Sequence, residues 1–285
     1  MIRHELIVRL ELEAGGLLPS ARVVYHTSHD SWDGKLPVIW ICHALTANSD
    51  PEDWWPEMVG PGKAIDTEKN FVACVNMLGS AYGSEGPAQV NPQTGKLWLL
   101  DFPKVTVRDM VTASIVVRKA LGVSSVDLLI GSSIGGFQAI EWAVTEPEVF
   151  KRCLFIATAP RVSPYLSATV EAQRMALEAD PTFREARDLS GGAAGLKCAR
   201  AQALISYRCF EGYGLTQFEA DPDTLSPAGP LPMSGTRAKN WSAGPLTPIL
   251  TTLCALLWTA TTWAVAVVAW KRRSPGSRRG QQSCP

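Results

Sequence analysis

Apolar positions along the chain fall into short runs separated by glycine- and proline-rich turns. Leu6 to Leu12 and Ala21 to His26 predict two strands joined by a turn containing Gly15 and Gly16, an antiparallel edge. Leu36 to Cys42 is apolar on both faces once past Pro37, which suits a buried parallel strand with the proline near its start. Phe71 to Leu78 has the same character. Between these two runs, Asp53 to Lys63 reads as a loop and a short helix. Val107 to Leu121 predicts a helix that feeds an apolar strand at Val126–Ile130, followed at once by a second helical pattern through Ile140, Ala143 and Val144. Cys153 to Thr158 is the next strand. This alternation predicts an α/β fold with a mostly parallel sheet and right-handed crossovers. From Pro160 to about Asp223 the pattern turns helical, over Ala168–Leu177 and Gly195–Tyr213. The expected organisation is a core over 1–159, a partial helical lid over 160–225 and an aberrant tail over 226–285.

Charge sharpens that last boundary. The 285 residues hold 27 basic and 27 acidic side chains, with no basic excess of the kind nucleic-acid binding requires. All 27 acidic residues lie at or before Asp223, and seven of the basic ones lie in 226–285, leaving 20 before it; the two parts carry net charges of −7 and +7. The seven cysteines (Cys42, Cys74, Cys153, Cys198, Cys209, Cys254 and Cys284) are scattered, without C-x-x-C spacing. A reduced, cytoplasmic setting is expected, with neither a disulfide framework nor a metal site. The charged start, Met1 to Glu5, has no apolar signal core.

The chemistry concentrates at Gly131-Ser132-Ser133-Ile134-Gly135. A strand, a tight Gly-x-Ser-x-Gly turn and a helix form the setting of a nucleophile elbow, in which a strained backbone aims a hydroxyl out of the sheet. Ser133 is the candidate nucleophile, at a helix N-terminus whose amides favour developing negative charge. The turn after the first buried parallel strand, His43-Ala44-Leu45-Thr46, stands where an α/β-hydrolase draws one oxyanion-hole amide, the other following the nucleophile; these are the N–H groups of Leu45 and Ile134. His43 itself reads as a turn histidine hydrogen-bonded to backbone. The loop Leu78–Pro87 is glycine-rich but lacks the Gly-Lys-Ser/Thr ending of a phosphate-binding loop. Arg200 and Tyr207 are two helical turns apart and share a face; from the residues alone, Arg200 reads as a solvated surface charge and Tyr207 as a half-buried packing residue.

Several segments together resemble the homoserine O-acetyltransferase family of α/β-hydrolase-fold acyltransferases. They are His43–Thr46, Trp54-Trp55, Gly60–Thr67, Asn76–Gly79, Tyr82–Ser84 with Gly86-Pro87, Phe102–Val111, and the elbow through Ala143, in the family's order and over roughly 5–225. The resemblance implies a ping-pong transfer in methionine biosynthesis, with no cofactor and with acetyl-CoA as co-substrate: Ser133 takes the acetyl group and passes it to the hydroxyl of L-homoserine. Arg200 looks like the family's lid arginine that holds the substrate carboxylate, and Tyr207 like a nearby pocket tyrosine. A homodimer is compatible with the resemblance. Homoserine succinyltransferase, serine acyltransferase and esterase remain alternatives, since acyl and acceptor choice lies in pocket shape.

Two features depart from the family. The fold's triad runs Ser, Asp, His along the chain, yet His4, His26, His29 and His43 all precede Ser133, so the triad Asp and His are missing and little or no turnover is expected. The resemblance also stops near Leu225. A reading-frame slip of one nucleotide there accounts for the tail: one back-translation of Leu257–Lys271, with each codon begun a nucleotide earlier, gives the family-like string LDSHNVGRGRGGVE. The same offset from Ser226 permits another. The fold is therefore expected to be C-terminally incomplete. Taken literally instead, Thr247–Trp270 is 24 residues without a charge, followed by Lys271-Arg272-Arg273, with the length and flank of a transmembrane helix; this reading makes the chain a tail-anchored, non-catalytic membrane protein.

Overall fold

The computed structural model describes residues 1–217 except Arg208. In chain order the elements are β1 (Ile2–Glu11), β2 (Leu17–Thr27), β3 (Val38–Cys42), α1 (Pro51–Trp54), β4 (Phe71–Val75), α2 (Val107–Ala120), β5 (Leu128–Ser132), α3 (Ile134–Thr145), β6 (Cys153–Ile156), α4 (Pro164–Glu178), α5 (Pro181–Arg184), α6 (Ala193–Ser206) and α7 (Phe210–Gln217). The strands form one sheet in the order β1-β2-β4-β3-β5-β6. β1, β2 and β4 pair antiparallel, while β4, β3, β5 and β6 pair parallel. The expected antiparallel edge and parallel centre are both present.

Strand periodicity explains why the centre is buried on both faces. Along β3, Val38, Trp40 and Cys42 enter the larger hydrophobic cluster, with Val8, Met110, Val117 and Trp142. Ile39 and Ile41 enter the other cluster, with Val59, Ile65, Val72 and Ile130. Trp40 meets Trp142 of α3 edge-on, with ring centroids 5.1 Å apart, so strand and helix are locked by aromatic packing. α2 starts at a capping box in which Thr106 accepts from the Asp109 amide and Asp109 accepts from the Thr106 amide at 2.8 Å. The second Asp109 oxygen accepts from the Glu13 amide at 2.8 Å, tying the helix to the end of β1.

Between β6 and Gln217 the described residues are helical, as the pattern predicts. α4 starts earlier than the apolar periodicity shows, at a Ser163 cap followed by Pro164. The stretch Gly195–Tyr213, predicted as one helix, is two: α6 ends at Ser206 and α7 starts at Phe210, with the Cys209 thiol accepting from the Gly212 amide at 3.3 Å. α4 and α6 pack through Leu177, Leu196 and Ala199. Asp180 accepts from the amides of Ala194 and Gly195, both at 3.0 Å, and these bonds hold its carboxyl below the usual range. Leu45 touches both this helical cluster and the main core, and so is a joint between the two. Among the described residues no helix is long and apolar enough to cross a membrane; the apolar run Thr247–Trp270 and the proposed frame slip lie outside the described residues.

Candidate active site

β5 delivers the chain into the elbow at the centre of the parallel sheet. Ser133 adopts φ 54° and ψ −120°, a region that a non-glycine residue occupies only when its surroundings enforce it, at a cost of roughly 1–3 kcal/mol. The enforcement is visible: the Ser133 amide donates to Ile156 O at 3.1 Å, and its carbonyl accepts from Gly136 N at 2.9 Å as α3 begins. The side chain is exposed, outside the sheet.

The glycines of the elbow are required by space. A β-carbon on Gly131 would lie 2.3 Å from Gly135 O, and one on Gly135 only 2.1 Å from Cys42 O and 2.6 Å from His43 O. The start of α3 is therefore pressed against the backbone at the end of β3. That contact sets the β3 turn, with Leu45, beside the Ser133–Ile134 elbow. Sequence reasoning did not single out Gly136, where a β-carbon would strike the Thr158 side chain at 2.4 Å.

Within the β3 turn, Ala47 N donates to Ala44 O at 3.0 Å and closes it. His43 is buried with both ring nitrogens engaged: Nδ1–H donates to Ala44 O at 2.9 Å and Nε2 accepts from Met77 N at 3.1 Å. Burial pushes it down to about 4, so it is neutral at ordinary pH. The turn-histidine reading agrees with this geometry. His4 contacts Thr27 Oγ1 at 2.7 Å, His26 contacts Ser49 Oγ and His29 contacts Ser28 Oγ, each at 2.8 Å. Among the described residues, then, no histidine is hydrogen-bonded to Ser133, and no group of His, Cys, Asp or Glu is arranged to hold a metal. Cys42 and Cys74 are free thiols inside the sheet; burial pushes Cys42 up to about 12 and Cys74 well up, so neither is a nucleophile.

Arg200 and Tyr207 behave differently from their reading as bare residues. Arg200 is no solvated surface charge: it lies on α6 at 8% exposure. Tyr207 is not half-buried but 64% exposed, at the end of the same helix. α4 packs on α6 through Leu196 and Ala199, beside Arg200 in the chain, while Tyr207 caps the helix at an exposed end. Tyr82 entered the sequence reading in a glycine-rich loop and in a segment of the family resemblance, with no role assigned. Its hydroxyl donates to Thr46 O at 3.2 Å, burial pushes its phenol up with Asp53 adding to the effect, and the Arg200 charge opposes both. The Arg200 charge thus acts on Tyr82, whose hydroxyl is bonded to Thr46 of the β3 turn. No signal in the sequence singled out Tyr82 for a role there.

A strained serine between a parallel strand and a helix, with a second strand turn pressed against it, defines an α/β-hydrolase-fold protein. A family model described as the alpha/beta hydrolase fold matches residues 37–197, and the chain belongs to that family. Its relatives are more specific. The chain is 41% identical over 210 residues to a homoserine O-acetyltransferase of Chlorobaculum parvum, covering 71% of this chain and 57% of that one. It is 37% identical over 242 residues to one of Trichormus variabilis, covering 81% and 66%. The resemblance drawn from the motifs is thus borne out, although the chain spans only about 57% of the length of the first of these relatives. The crystal structure of homoserine O-acetyltransferase from Bacillus anthracis superposes with a TM-score of 0.79 at 23% identity, over 91% of this chain and 75% of that one, and shows the shared fold.

Proposed function

We propose that this chain carries the acyl-accepting part of a homoserine O-acetyltransferase, with Ser133 as the residue that is acetylated. In the first half-reaction Ser133 Oγ attacks the thioester carbonyl of acetyl-CoA, the Oγ–carbon bond forms, the carbon–sulfur bond breaks, and the proton of the hydroxyl leaves with the thiol. The Leu45 and Ile134 amides receive the charge on the carbonyl oxygen during that step. In the second half-reaction the hydroxyl oxygen of L-homoserine bonds to the acetyl carbon, the Ser133 Oγ–carbon bond breaks and the hydroxyl proton returns to Ser133 Oγ, while the Arg200 guanidinium holds the amino acid's carboxylate, with Tyr207 at the rim of the pocket. Acetyl-CoA is a co-substrate and no cofactor takes part. The observation that carries this reading is the strained Ser133 backbone at an elbow packed directly against the turn that bears Leu45.

With no histidine beside Ser133 among the described residues, acylation is slow and turnover low. Loss of triad members elsewhere leaves about 10³–10⁴-fold catalysis over water, from the oxyanion hole and binding. The test is intact-protein mass spectrometry of the full chain after incubation with acetyl-CoA. One added acetyl group, lost in Ser133→Ala, is the expected result. Label that persists in Ser133→Ala overturns the nucleophile, and label from succinyl-CoA alone overturns the acetyl donor.

A further inference from the structure

The buried histidine of the β3 turn is used by nothing in the reaction as written above, yet it is one of the largest fully buried side chains of the chain. Its two hydrogen bonds leave a single tautomer. Ala44 O can only accept, so Nδ1 carries the hydrogen; Met77 N can only donate, so Nε2 carries none. The imidazole is thereby a rigid strut between the end of β4 and the carbonyl of Ala44.

That carbonyl belongs to the same peptide unit as the Leu45 amide. A peptide is planar, so fixing the direction of Ala44 C=O fixes the direction of Leu45 N–H on its opposite side. Two donors hold the carbonyl, His43 Nδ1 at 2.9 Å and Ala47 N at 3.0 Å. Each also draws electron density toward the oxygen and makes the N–H a better donor, by about 10–30% per bond in a connected chain. The far end of the strut rests on Met77, which is buried at the end of a central strand, so the aim of the amide is referred to the sheet and not to the loop.

We infer that His43 is a positioning residue for the oxyanion hole, holding the Ala44–Leu45 peptide so that its N–H faces the substrate's carbonyl oxygen. The inference rests on the proposed acylation of Ser133 and adds to it a residue that touches neither substrate nor nucleophile. It separates His43 from the general base of a triad: this imidazole never exchanges a proton during the reaction.

Two substitutions divide the two bonds. In His43→Asn the side-chain amide can still donate to Ala44 O but cannot reach Met77. In His43→Gln the longer side chain can still accept from Met77 N but is displaced from Ala44. The full chain is treated with 4-nitrophenyl acetate, whose leaving group needs no acid, and acetylation at Ser133 is followed by mass. His43→Gln is expected to acylate about tenfold or more slowly at saturating ester, with the half-saturating concentration little changed, because a misaimed donor weakens the transition state alone. His43→Asn is expected to stay within about threefold of the unaltered chain. Each variant loses one buried hydrogen bond, so their denaturation midpoints fall alike, and a merely structural histidine would slow both alike.

Equal rates in the two variants, or rates that follow their stabilities, overturn the inference while leaving Ser133 as nucleophile. An unaltered chain that takes no label at Ser133 removes the proposed function and this inference together. Should either variant fail to fold, ¹⁵N-histidine NMR of the unaltered chain decides: a Nδ1–H tautomer for His43 that persists down to about pH 4 is required, and a Nε2–H tautomer overturns the strut.

Discussion

The strand that leads into the Ser133 elbow, β5, has two parallel neighbours of similar composition and opposite fate. β3, Val-Ile-Trp-Ile-Cys, is buried at every position; β6, Cys-Leu-Phe-Ile, is exposed at its first three, with Leu154 at 46% and Phe155 at 43%. Both sequences are those of interior parallel strands, apolar on both faces. β3 has β4 and β5 on its two edges and hydrophobic clusters on its two faces, whereas β6 pairs only with β5 among the described residues. The β3 side of the elbow is therefore a finished wall, and it supplies the proposed oxyanion amide. Among the described residues the β6 side is an open edge with interior chemistry. In the proposed reaction the β3 side would stabilise charge, while the described residues place no proton acceptor at Ser133.

The contrast can be broken at its strongest point first. Gly135→Ala puts a β-carbon 2.1 Å from Cys42 O, and neither backbone can withdraw without separating α3 from β3. A loss of more than ~4 kcal/mol in denaturant unfolding, or no folded protein, is expected. Trp40→Ala, in the same wall, removes a fully buried ring from contact with Trp142 and should cost about 4 kcal/mol by the same measurement.

A third test uses pH. His43 has its folded value lowered from 6.5 to about 4, so only the unfolded chain takes up the proton between those values. Its stabilising contribution is whole above about pH 6.5 and is lost as pH falls toward 4, a decline on the order of 3 kcal/mol. His26, also lowered by burial, acts in the same direction. Unfolding midpoints measured from pH 7 to pH 4 check this, and a flat profile would remove the buried, neutral His43. The smallest effect belongs to the other flank: Leu154→Ala on β6 should change stability by no more than ~0.5 kcal/mol. A loss of several kcal/mol there would mean that β6 is covered in solution, and the comparison would fail.

Much of the sheet was legible in the sequence. Period-two alternation marked β1 and β2, unbroken apolar runs marked β3, β4 and β5, and the glycine spacing around Ser133 marked the elbow. These signals are local, arising from neighbours within a few residues. The break between α6 and α7 was not legible, because Tyr207 to Cys209 holds no proline or glycine and the helical pattern runs straight through it. Nor was the burial of Arg200, nor the approach of Tyr82 to Thr46 across 36 positions of chain. His43 could be recognised as a turn residue held by backbone, but its second partner, Met77, lies 34 residues away.

By itself the sequence determined the order of strands and helices, the elbow that bears the proposed nucleophile and the resemblance to an acyltransferase, because each is written in contiguous residues whose side chains and backbone angles constrain one another directly. Only the tertiary structure decided which of two equally apolar strands is interior, that the Arg200 side chain is buried, and which distant partner His43 finds in Met77. Those depend on which surfaces meet, and burial, desolvation and hydrogen-bond geometry come into being only when distant segments of chain are brought within contact distance.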